Sequence, residues 1–117
     1  KLDDAITYFG NVVRVRPKNM NGWLELLKCL YKAEMLEEAL EYAGFAFEQT
    51  DGKPIFLFYK SAVLYAMGKS KEALLNLEAG MNRNPKLVKK FIEINPSILQ
   101  VQQVVDIIAR YKKKKSL

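Results

Sequence analysis

Asn21, Glu25, Lys28 and Lys32 recur at steps of three and four, so a helix would place all four on one face. That face carries an amide, a carboxylate and two ammonium groups. Such groups orient a bound segment through hydrogen bonds and charge. They do not make an acid–base pair or an activated nucleophile, because the chain has no histidine and a single cysteine, Cys29. The same composition excludes a disulfide scaffold and a zinc site of the cysteine–histidine kind. No catalytic activity, metal or cofactor is expected. Residues 54–67 offer a second kind of surface, since Lys60 is their only charge. A helix that is apolar nearly all round is either buried on every side or lines a binding surface. Phe58, Tyr59 and Tyr65 are the large side chains at stake. Tyrosine is the better recognition residue, because its hydroxyl needs a partner or water.

These residues need helices to hold them, and the apolar pattern supplies helices in pairs. Trp23, Leu26, Leu27 and Leu30 form one stripe. After a break near Glu34, Leu36, Ala39, Leu40, Ala43 and Phe47 form another. Pro54 suits the first turn of the next helix, where its missing N–H is harmless. Gly68 suits the stop after it, and Asn84-Pro85 ends the helix that follows. No segment alternates as a strand would. Cys29 beside the first stripe reads as a small buried filler, and Glu37, Glu38 and Glu41 as a solvated helix face.

The pairs repeat. Asp4-Ala5-Ile6 returns as Glu38-Ala39-Leu40 and as Glu72-Ala73-Leu74, each 34 residues on, with a worn copy at Asp106-Ile107-Ile108. Trp23, Leu57 and Phe91 form another column at that step, and Leu30, Leu64 and Ile98 a third. A 34-residue helix–turn–helix unit with these residues resembles the tetratricopeptide repeat. Residues 1–17 match the second half of a unit through Ala5, Phe9 and Pro17. Residues 20–53 match through Trp23, Leu26, Ala39 and Ala46, and residues 54–87 through Leu57, Ser61, Leu64, Ala73, Gly80 and Pro85. Leu27, Ala43 and Asp51 depart from the pattern, so the second unit should pack its helices differently. Residues 88–117 read as a degenerate, capping unit: a short helix over 86–94, then a last helix opened by a capping box at Ser97 and Gln100.

The resemblance implies an all-α fold, a right-handed superhelix of antiparallel helix pairs with about seven helices. It implies that first helices line an inner, concave face where extended peptides bind. By position, that face would hold Asn21, Leu24, Glu25, Lys28, Tyr31 and Lys32, then Ile55, Phe58, Tyr59, Ala62 and Tyr65, then Lys89, Ile92 and Glu93. The clamp of lysine, asparagine and arginine by which some members hold a terminal carboxylate is absent from the third unit, where Ile55 and Tyr59 stand at its positions. The expected role is a non-enzymatic scaffold for a protein or peptide with apolar anchors and some acidic character. The alternative is a structural spacer or a self-association module within a larger protein. Residues 2–15 form a second helix without its partner, so the chain reads as an excerpt of a longer array.

Net charge is +6, and without the lysines at 112–115 it falls to +2. The chain is a near-neutral body with a basic run, and no aromatics interleave with those lysines. Nucleic acid is therefore not an expected partner. The run is read as a favourable helix end that frays. No apolar stretch approaches the length of a membrane span. A lone thiol fits a reducing compartment such as the cytoplasm.

Overall fold

The computed structural model describes residues 1–116, with side chains through Lys113. The side chains of Lys114 and Lys115, the end of the basic run, lie outside the described residues. Seven α-helices are present among the described residues, and no strand: α1 (Leu2–Val15), α2 (Met20–Lys32), α3 (Leu36–Gln49), α4 (Ile55–Ala66), α5 (Ser70–Arg83), α6 (Val88–Ile94) and α7 (Gln102–Ser116). Two 3-10 turns, Pro85–Leu87 and Pro96–Gln100, flank α6.

The 34-residue period of the sequence is also a period of the backbone. Helices α1, α3 and α5 are each 14 residues long. They end on Arg16, Thr50 and Asn84, whose N–H groups donate to the carbonyls of Val12, Ala46 and Gly80. Helices α2 and α4 stop alike. The N–H of Met35 reaches the carbonyl of Leu30 at 3.0 Å, and that of Lys69 reaches Leu64 at 2.9 Å. This closure needs a left-handed residue one step before, and Glu34 and Gly68 supply it at φ 59° and 81°. Glycine adopts that conformation freely, whereas a side chain costs about 1–2 kcal/mol there. Replacing the exposed Glu34 with glycine should therefore raise stability by about 0.5–1 kcal/mol, after the added freedom of the unfolded chain is subtracted. A higher urea midpoint at unchanged slope would show it. Gly68→Glu should shift the midpoint the other way.

Each helix packs on its successor from α1 to α5, while α6 packs on α4 and α7 on α5. The chain spans 44 × 26 × 20 Å. Small residues sit where helices meet. Ala39, Ala43, Ala46 and Ala73 are all 0% exposed. Leu27 is equally buried in the cluster that holds Ala43. There the departures from the repeat pattern offset one another: α2 carries a large residue and α3 a small one, which conserves volume. Ser61 fits between α4 and α5 by donating its hydroxyl to the Ala73 carbonyl at 2.7 Å. Trp23 is anchored by its indole N–H, which donates to the Pro17 carbonyl at 2.6 Å.

The last unit differs from expectation. Ser97 and Gln100 form no capping box. The Asn95 side chain accepts from the Ser97 N–H at 3.1 Å and from its hydroxyl at 2.6 Å, and so caps the 3-10 turn. Val101 is then extended, at ψ 112°, so α7 starts only at Gln102. Ile107, which stands where the repeat has alanine, is buried with Val104. The expected helix over 86–94 is a 3-10 turn followed by α6.

Candidate functional site

Helices α2, α4 and α6 converge on one groove of about 640 Å³. That is ample for several side chains of a bound segment. Its floor is apolar: Ile55 and Tyr59, 8% and 6% exposed, lie beside half-buried Leu24, Leu87 and Ile94. One turn separates Ile55 from Tyr59, so α4 presents both to the groove.

The rim is charged. Lys28, Lys32, Lys53 and Lys90 face Glu25 and Glu93. Lys28 pairs with Glu25 at 3.5 Å and Lys90 with Glu93 at 3.8 Å, both on exposed side chains. Pairs of that kind hold little energy and can be exchanged for a ligand's charge. Lys32 and Lys53 make no ion pair among the described residues. The rim therefore offers an excess of positive charge, two groups of it uncommitted.

Two phenols sit among these charges. Burial pushes the Tyr59 hydroxyl up to about 12, helped by the Glu25 and Glu93 carboxylates, which disfavour a phenolate. Burial also raises Tyr31, while hydrogen bonding from the Asn95 side-chain amide to the phenol oxygen opposes the rise. Both remain neutral hydroxyls at ordinary pH and can donate or accept. Nothing in this set activates a nucleophile. The set combines an apolar floor and neutral hydroxyls with exposed cations at the edge.

Of the residues expected on the inner face, nine line the groove: Asn21, Leu24, Glu25, Lys28, Tyr31, Lys32, Ile55, Tyr59 and Glu93. Five do not, half-buried Ile92 of α6 among them. Phe58 and Ala62 are 0% exposed and belong to the core shared with α5 and α6. Tyr65 packs against the same core, and its buried hydroxyl has no hydrogen-bond partner among the described residues. Burial pushes it up to about 12. These three lie on one α4 face because they are spaced by four and three, a step round from Ile55 and Tyr59. Lys89 is exposed and lines no part of the groove, while Lys90 does. The 3-10 turn before α6 advances more degrees per residue than an α-helix, which changes the phase of the helix behind it.

Sequence reasoning missed Met20, Lys53, Pro54, Asn84, Leu87, Lys90 and Ile94. A signal existed for two of them. Asn19, Lys53 and Leu87 form a 34-residue column at the entry of the first helices. Glu25, Tyr59 and Glu93 form another such column, and all three line the groove.

No family model, curated protein or solved structure matches this chain.

Proposed function

We propose that the chain is a tetratricopeptide-like superhelical scaffold whose α2–α4–α6 groove binds a segment of a partner protein without catalysing a reaction. The partner carries apolar anchors for the Leu24, Ile55 and Leu87 floor and acidic side chains for the lysine rim. The observation that carries this reading is the convergence of three consecutive first helices on one apolar groove with an uncommitted positive rim. The lack of histidine, and a single cysteine, supports binding over chemistry.

Charge is the testable part. A library of short peptides combining Leu, Ile or Phe anchors with Asp and Glu should contain binders in the micromolar range. Lys32→Glu together with Lys53→Glu should weaken such binding by about tenfold or more, because each exposed charge contact is worth a fraction of a kcal/mol and reversal doubles the change. Both lysines are exposed, so melting temperature should hardly move. Added salt should narrow the difference between the double variant and the parent. Binding that ignores the double reversal, or that prefers basic peptides, would sink the reading.

A further inference from the structure

Glu25, Tyr59 and Glu93 stand 34 residues apart, at the same level of α2, α4 and α6. All three line the groove, with the phenol at its floor and one carboxylate on each wall. Both carboxylates act on the Tyr59 hydroxyl. Tyr59 is 6% exposed, yet its hydroxyl makes no hydrogen bond among the described residues. A phenol oxygen left without a partner between two carboxylates is a place that lacks a donor.

The rim lysines are sorted about this level. Helices α2 and α6 run the same way, since Glu25 and Glu93 both act on Tyr59 and, beyond them, the Asn95 side chain bonds to Tyr31. Lys53 and Lys90 lie six and three residues before the level of Tyr59 and Glu93. Lys28 and Lys32 lie three and seven residues after that of Glu25. At the rise of a helix, each pair of lysines is centred about 7 Å from the carboxylates, roughly two residues of an extended chain. Along its length the groove is therefore positive, negative and positive again. The Glu25 and Glu93 side chains are 45% and 69% exposed, and their pairs with Lys28 and Lys90 are long. An ammonium group entering between them meets three acceptors with its three N–H groups: one oxygen of each carboxylate and the phenol oxygen. Lys28 and Lys90 are then released to carboxylates of the ligand, so the exchange conserves ion pairs.

We propose that the groove selects a lysine of the partner segment, its ammonium seated between Glu25, Glu93 and Tyr59, with acidic side chains about two residues to either side. This seat rests on the peptide-binding function proposed above and adds the residue that the middle of the groove recognises.

The probe is the N-acetylated peptide Leu-Glu-Ile-Lys-Ile-Glu-Leu with fluorescein at its C-terminus. Anisotropy titration compares it with the same peptide carrying norleucine for lysine, which keeps the aliphatic stem and drops the charge. The lysine peptide should bind at least fivefold more tightly. A peptide of the same composition with lysine moved to the end should lose at least threefold. Glu25→Gln with Glu93→Gln should bring the ratio of lysine to norleucine affinity close to one, and the exposure of both side chains protects the fold. Lys32→Glu with Lys53→Glu should weaken both peptides alike. Norleucine binding as tightly as lysine, no loss on moving the lysine, or a preference that survives the glutamine pair would each overturn the lysine seat and leave the acidic-segment reading standing. Failure of both peptides to bind at about 1 mM protein would overturn the two together.

Discussion

Gly80→Leu is expected to lower stability by about 3 kcal/mol, enough to unfold much of a marginal domain. The reason is local. A Cβ at Gly80 would sit 2.9 Å from one carbon of the Phe58 ring and 3.0 and 3.1 Å from two more. The ring cannot swing aside, because Phe58 is 0% exposed and its centre lies 6.1 Å from that of Phe91. Leucine needs space that α4 and α5 do not leave. Gly80→Ala meets the same ring with one carbon, and its gain in helix propensity of about 1 kcal/mol offsets part of the clash. The decisive measurement is a double-mutant cycle by urea unfolding. Phe58→Leu should relieve Gly80→Ala, leaving the double variant more stable than the sum of the singles by about 1 kcal/mol or more. Strict additivity would mean that the two side chains do not meet.

Phe58→Ala should cost about 3–5 kcal/mol, as expected for an aromatic removed from a packed interior. Its effect should appear in the unfolding midpoint and not in ligand affinity measured on the folded protein. By its repeat position Phe58 was expected on the inner face, and the packing places it under α5 and α6. The neighbouring Tyr59, whose hydroxyl lies near Glu25 and Glu93, should behave differently. Tyr59→Phe keeps the ring and removes the hydroxyl, so it should weaken peptide binding several-fold with a smaller loss of stability. If Phe58→Ala instead left the midpoint in place and abolished binding, the division of α4 into core and groove faces would be wrong.

Much of this was legible in the residues. The recurrence of Asp4-Ala5-Ile6 at Glu38 and Glu72 fixed where helices start, and the start of α5 falls one period after that of α3. Period and apolar spacing are local properties, and local hydrogen bonding turns them directly into helix boundaries. The face carrying Asn21, Glu25, Lys28 and Lys32 was equally legible, because its polar residues oppose the Trp23 stripe. The cap at Asn95 was not: the Ser97 spacing reads as a capping box, whereas Asn95 takes the Ser97 N–H over a shorter reach.

Sequence by itself determined the all-helical class, the pairing of helices and the polar face of α2, all of which follow from spacing along one chain. Tertiary structure alone decided how α4 divides between core and groove. A helix that is apolar all round carries no internal mark of which side is covered. Only the neighbours settle it: Gly80 admits Phe58 on one side, while α2 and α6 stand apart on the other and leave Tyr59 at the floor of a groove.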